Sequence, residues 1–192
     1  NQTQSWTNPM YPQWQGDDIT ANPGSNKQAC AALDAFASDG ANKGVTDAWN
    51  QHYSVIKAAN LITESASKAP VAQDKIDVAL GNAHFWRAYA YYYLVRVFGP
   101  VPLITGTDVS QLEVAPSSVE KVYELIVSDL KAAVNELPTK YEKEPSRLFG
   151  VDIWTTKQAA QATLSAVYMS MAGYPLNKGT EYYKLAAEQA KS

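Results

Sequence analysis

From Thr46 onward the apolar residues recur at helical spacing, and no convincing strand pattern accompanies them. Over residues 46–67, Trp49, Tyr53, Ile56 and Asn60 fall on one face with Val55, Ala59 and Ile62 beside them, and Asp47 reads as a cap or first-turn acid. That helix is expected to end near Ser67, ahead of Pro70. A second begins near Val71–Asp74 and carries Ala79, Ala83, Arg87, Ala90, Leu94 and Phe98. Gly99-Pro100 stops it, because Gly tolerates the left-handed conformation at a helix end and Pro cannot extend the helix. Val101–Ile104 reads as an extended connector.

Ser117 or Ser118 caps a third helix whose apolar face is Val119, Val122, Leu125, Ile126, Leu130, Ala133 and Leu137, closed by Pro138. A fourth starts near Thr155/Thr156, carries Ala159, Ala160, Thr163, Leu164, Val167, Tyr168 and Met171, and ends at Gly173. A fifth starts near Thr180 with Tyr182, Tyr183, Ala186, Ala187 and Ala190. Residues 1–45 lack this periodicity. They are rich in Asn, Gln, Gly, Pro, Asp and Ser, and read as loop with a short helix around Gln28–Phe36. A loop that long is anomalous in a compact domain, so it is expected to wrap over the helical body.

Small residues at four-residue steps let two helix backbones approach, and large ones fill the space between. The run Ala160, Leu164, Tyr168, then Gly173, then Tyr182, Ala186 and Ala190 has this alternation, which is that of a tetratricopeptide-type helix pair. A generic αα-hairpin gives the same pattern. The predicted fold is all-α: stacked helix pairs of tetratricopeptide-repeat type, an αα-superhelix, with a loop-rich N-terminal segment. Residues 1–45 would form part of a ligand face and 46–192 the scaffold.

Composition removes several function classes. Apolar residues at 46% and charged residues at 18% describe a packed chain, and a net charge of -3 offers no basic face for nucleic acid. No apolar run approaches the roughly 20 residues of a membrane helix. Cys30 is the one cysteine, so no intramolecular disulfide forms. Of the twelve Tyr, five Trp and four Phe, most are expected in the core. The opening Asn1–Ser5 lacks the basic and apolar parts of a signal peptide, and the helical pattern is still running at Ala190–Ser192, so the chain reads as a trimmed piece.

The stretch Gly81–Leu103, with Phe85-Trp86-Arg87-Ala88-Tyr89-Ala90-Tyr91 leading to Phe98-Gly99-Pro100-Val101-Pro102-Leu103, resembles the signature helix and exit loop of the RagB/SusD family. Other motifs follow in the family's order: Trp49-x3-Tyr53-x2-Ile56-x3-Asn60, Ser118-Val119-Glu120 through Tyr123, Ile126 and Asp129-Leu130 to Ala133, and Thr156-Lys157-x-Ala159-Ala160 through Tyr168 to Gly173. Gly16-Asp17-Asp18 is similar to an acidic tripeptide that precedes the family's first ligand loop. The resemblance implies a glycan-binding, surface-exposed outer-membrane lipoprotein of Bacteroidetes-type bacteria that works beside a TonB-dependent SusC-like transporter. It also implies a protein more than twice this length, of which this would be the N-terminal portion. The lipidated cysteine of the family has no counterpart here, since Cys30 falls in the short helix expected downstream of the acidic motif.

Catalytic and metal chemistry have little to stand on. His52 and His84 sit on different helices without partners at ligand spacing, and no phosphate-binding or nucleophile motif occurs. A glycosidase needs two carboxylates about 5–10 Å apart with separated pKa values, which the adjacent Asp17 and Asp18 do not supply. Those two read first as capping or turn residues, with calcium ligation a lesser option. No cofactor is expected, and the protein is read as non-enzymatic. Sugar binding needs flat apolar rings for the pyranose face and amide or carboxylate groups for its hydroxyls. Trp6, Asn8, Trp14, Asp18, Asn22 and Asn26 are the candidates, with Tyr11 and Lys27 nearby. Trp6 and Trp14 could equally pack on the helices. Arg87 and Arg96 are read as structural ion pairs or caps, and some hydroxyls of Tyr89–Tyr93 should reach loops or a partner. The rival readings are a helical-repeat module that binds a protein or peptide, and an enzyme with unrecognised carboxylates.

Overall fold

The computed structural model describes residues 16, 18–21, 24, 28–108, 113–141, 147–148, 151–152 and 154–191, with 147–148 and 151–152 by backbone alone. Among these residues the helices are α1 (Gln28–Asp34), α2 (Lys43–Ser65), α3 (Gln73–Phe98), α4 (Val119–Glu136), α5 (Lys157–Ala172) and α6 (Thr180–Lys191), with a 3-10 turn at Ala66–Lys68 after α2. Two small antiparallel ribbons join them. β1 (Val101–Pro102) pairs with β2 (Pro116–Ser117), Val101 opposite Ser117, and β3 (Arg147–Leu148) pairs with β4 (Val151–Asp152), Arg147 opposite Asp152. The chain is all-α, as the periodicity predicts. The connector at Val101 is half of a ribbon, and a two-residue strand is too short for any periodicity to reveal it.

The chain divides into two compact units, residues 1–55 and 56–192. In the first, α1 buries Cys30 and Leu33. α2 starts three residues earlier than Thr46, because Asn42 and not Asp47 caps it. The Asn42 Oδ1 accepts from the Gly44 N–H at 2.8 Å, and its Nδ2 donates to the Ala29 carbonyl at 3.0 Å. A side-chain oxygen at this position satisfies one of the free N–H groups of the first turn, and the amide's other end ties α2 to α1. Asp47 instead pairs with Lys43 at 2.7 Å along the helix. The buried stripe of α2 is Ala48, His52, Ile56 and Asn60, with Ala59 beside it. Trp49 and Tyr53, expected on the core face, are half-buried, their rings 4.9 Å apart.

The second unit is a stack in which α3 packs on α4, α4 on α5 and α5 on α6. α3 buries Ala83, Ala88, Ala90, Tyr91 and Leu94, among others. At Gly81 the α3 backbone comes so close to the end of α4 that a Cβ would stand 2.8 Å from Leu137 Cγ and 3.1 Å from Glu136 Cβ. α3 ends on Gly99 at φ 73° and ψ -128°, a positive-φ conformation open to glycine, though not the left-handed helical one expected. Ser118 and Thr156 cap α4 and α5, accepting from the N–H groups of Lys121 and Ala159 at 3.3 and 3.4 Å.

The α5–α6 pair follows the small/large rule on its inner side. Ala160, Leu164, Tyr168 and Ala186 are buried, Tyr168 and Tyr182 meet edge to face at 5.9 Å, and the Ser165 hydroxyl donates to the Ala186 carbonyl at 2.8 Å. α6 departs from expectation on its outer side. Ala186 is its one buried residue among those described, while Tyr183, Ala187 and Ala190 are exposed. α5 takes up a single edge of this helix, and a repeat pattern cannot say which of its residues meet a neighbour.

Candidate functional site

Of the six glycan-contact candidates, Asp18 alone is among the described residues, and it is exposed. Trp6, Asn8, Trp14, Asn22 and Asn26 lie outside them, as do Asp17, Tyr11 and Lys27. The segment holding Asp18 is fastened to α1. Ala21 is 7% exposed, and its N–H donates to Asp34 Oδ2 at 2.9 Å, thirteen residues away. An irregular segment thus gains a fixed attachment at a helix end, which is how a loop comes to hold side chains in place on a rigid support.

A second polar system lies in the core of the stack. Arg87 and Asp129 form a two-pronged pair, Nε to Oδ2 and Nη2 to Oδ1, each at 2.7 Å, with side chains 9% and 5% exposed. The third arm of Arg87, Nη1, donates to Asn60 Oδ1 at 2.9 Å. Asn60 Nδ2 then donates to the carbonyls of Ile104 and Gly106 at 2.9 and 3.1 Å. Tyr91 completes the grip, its hydroxyl accepting from the Ile104 N–H at 2.7 Å. Farther along, Glu64 accepts from the Thr107 N–H at 2.8 Å and from its hydroxyl. These bonds hold the Glu64 carboxyl below its ordinary range. Burial opposes the charge on Arg87, but the bonds and charge of Asp129 outweigh it and raise its pKa. Burial also pushes Tyr91 up to about 12, so its hydroxyl stays neutral. Arg87 is therefore the structural pair expected. Arg96 sits 5.0 Å over the Tyr92 ring, a cation–π contact in the last turn of α3, and no ion pair or cap bond joins it to another of the described residues. Asn60, which the sequence presents as one more residue on the α2 face, is the hub joining α2, α3, α4 and the connector. A buried amide amid apolar positions is the signal that marks it.

The expectation that most aromatics are core does not hold among the described residues. Phe85, Tyr91, Tyr123, Tyr141 and Tyr168 are buried, whereas Phe36, Trp86, Tyr89, Trp154, Tyr174 and Tyr183 are exposed and the others lie between. Tyr92 reaches α5, with its hydroxyl 2.6 Å from Ser170 Oγ, as expected for part of the Tyr89–Tyr93 run. Trp86 and Tyr89 form a surface group with Phe85 at centroid distances of 5.3–6.0 Å. His84 bonds Glu136 at 2.7 Å between α3 and α4, and burial pushes the pKa of His52 down. Neither histidine has metal-ligating company: no group of three or more His, Cys, Asp or Glu that could hold a metal ion occurs among the described residues. No described helix is long and apolar enough to cross a membrane.

Helices stacked in this order within residues 56–192 define a class of protein. The family described as SusD-like, "starch-binding associating with outer membrane", matches residues 1–169, and the chain belongs to it. It is 33% identical over 135 residues to the SusD-like protein P2 of Formosa agariphila, an alignment covering 68% of this chain and 25% of that protein. A SusD homolog from Bacteroides thetaiotaomicron superimposes with a TM-score of 0.76 at 27% identity, covering 92% of this chain and 34% of the other. A structure solved with xylogluco-oligosaccharide superimposes with a TM-score of 0.72 at 26% identity, covering 89% and 32%. The chain spans a quarter to about a third of these relatives' length.

Proposed function

We propose that this chain is the scaffold-bearing part of a cell-surface protein that captures an oligosaccharide without chemistry and passes it to a SusC-like TonB-dependent outer-membrane transporter. The observation that carries this reading is the family match over residues 1–169, in a chain whose relative of similar fold was solved with a xylogluco-oligosaccharide. The N-terminal segment supplies the contacts, with Trp6 and Trp14 as stacking rings and Asn8, Asp18, Asn22 and Asn26 meeting hydroxyls. The attachment of residues 18–21 through Ala21 and Asp34 supports a part for Asp18, because a binding group gains affinity when its order precedes the ligand. The protein resides on the outer membrane as a surface-exposed lipoprotein.

The test is calorimetric titration of the full-length protein with xylogluco-, laminari- and malto-oligosaccharides, followed by chromatography of the sugars. The expected result is saturable binding of at least one, with unchanged products. Binding to none, or cleavage of any, overturns the reading. Co-purification with a large outer-membrane barrel tests the transfer step, and its absence from solubilised membranes refutes that step alone.

A further inference from the structure

α1 closes with two backbone bonds, Ala37 N–H to the Ala32 carbonyl at 2.8 Å and Phe36 N–H to the Leu33 carbonyl at 3.1 Å. This is the Schellman arrangement, and it puts Phe36 at the position where the chain must turn left-handed, at φ 52°. Glycine is the favoured residue there, because any Cβ crowds the following carbonyl. The other described non-glycine residue at positive φ, Asn177, has a short side chain that tolerates the conformation; Phe does not share that ease. Burial would ordinarily compensate for such a choice, yet Phe36 is 70% exposed. A lone exposed ring is unremarkable, and so is a strained residue whose ring anchors a core. In this chain the strained backbone and the exposed ring occur at one residue, and strain of this kind gathers at ligand-contacting positions.

The position also matters. Phe36 lies two residues beyond Asp34, whose carboxylate holds the Ala21 N–H and with it the segment of Asp18. We infer that Phe36 is a stacking platform for a pyranose ring of the captured oligosaccharide, two residues from the Asp34 carboxylate that holds Ala21 and additional to the residues proposed above. The inference rests on the glycan reading. The flat face of the ring meets the C–H face of the sugar, and fixing the backbone at a helix end keeps the ring in place before the ligand arrives.

The experiment uses the full-length protein, the same three oligosaccharide probes, and the variants F36G, F36A, F36Y and F36W, with affinity by calorimetry and melting temperature by circular dichroism. F36G should melt at or above the wild-type temperature, since glycine relieves the left-handed position, while binding the sugar about tenfold more weakly or worse. F36A should lose similar affinity, and F36Y and F36W should stay within about threefold of wild type. If the wild type binds a probe and F36G binds it equally well, the inference is overturned while the glycan reading stands. A drop in the F36G melting temperature, or equal loss in all four variants, also overturns it by making the ring a structural element. If the wild type binds none of the probes, the glycan reading fails and the stacking role falls with it.

Discussion

Arg87 shows what a single residue decides in this fold. Its charge, taken out of water at 9% side-chain exposure, is matched by both oxygens of Asp129 and the amide of Asn60. Arg87→Ala leaves the Asp129 carboxylate buried and unpaired, and should cost about 3–5 kcal/mol in urea unfolding. The Arg87→Met, Asp129→Leu double variant should recover much of that loss, because the penalty lies in the orphaned charge. Tyr91 gives a pH signature. Its pKa rises from 10 in the unfolded chain to about 12 in the fold, so stability is whole below pH 10 and falls as pH rises from 10 toward 12. The full span is on the order of 2–3 kcal/mol, and Tyr91→Phe should flatten the alkaline limb by about one proton's slope. His52 acts on the other side. Burial lowers its pKa from 6.5, so its contribution is present above pH 6.5 and is lost as pH falls through the lowered value. Thermal melts from pH 7 to 5 should show His52→Gln less acid-sensitive than wild type. Arg87 was legible in the sequence as a structural cation inside a helical motif. Its partners were not, because Asn60 and Asp129 lie 27 and 42 residues from it along the chain and only packing brings them together.

Helix existence and order were legible because periodicity is local; helix faces and ends were less so. Ser118 and Thr156 stand at the caps that their residue type suggests. Asn42 was hidden in a stretch that reads as loop, although the same capping chemistry selects it. On α2, Ala48 and His52 are buried where Trp49 and Tyr53 were expected, and the two large rings stay half-buried beside Ile56 and Asn60, a difference that residue spacing alone does not set. Gly81 tests the close approach of α3 to the end of α4. Gly81→Ala gains helix propensity of about 1 kcal/mol but puts a methyl 2.8–2.9 Å from Leu137. Overpacking should win, for a net loss of about 1–2 kcal/mol by urea titration, and Leu137→Ala in the same chain should remove the clash and reveal the propensity gain.

At the scale of the molecule, the ligand proposed above is a neutral sugar and the chain carries a net charge of only -3, so salt has little charge attraction to screen. Oligosaccharide affinity should therefore change less than about twofold between roughly 50 and 500 mM NaCl, measured by calorimetry, whereas a phosphate-rich ligand would weaken steeply. The order of the helices, the close-packing small residues and the family were all written in local patterns, because hydrophobic spacing, caps and breakers act within a few residues of themselves. Which aromatics are core and which face solvent was not written there. Tyr91 and Tyr89 lie in one run of the same helix, one buried and the other 45% exposed, and the difference is whether a neighbouring element covers that side. The same holds for Phe36, whose strained backbone emerges from the hydrogen bonds closing α1 and from no feature of residue type. Composition and spacing determined what this chain builds; its surfaces and buried polar network were decided by contacts between residues far apart along it, which no local pattern can encode.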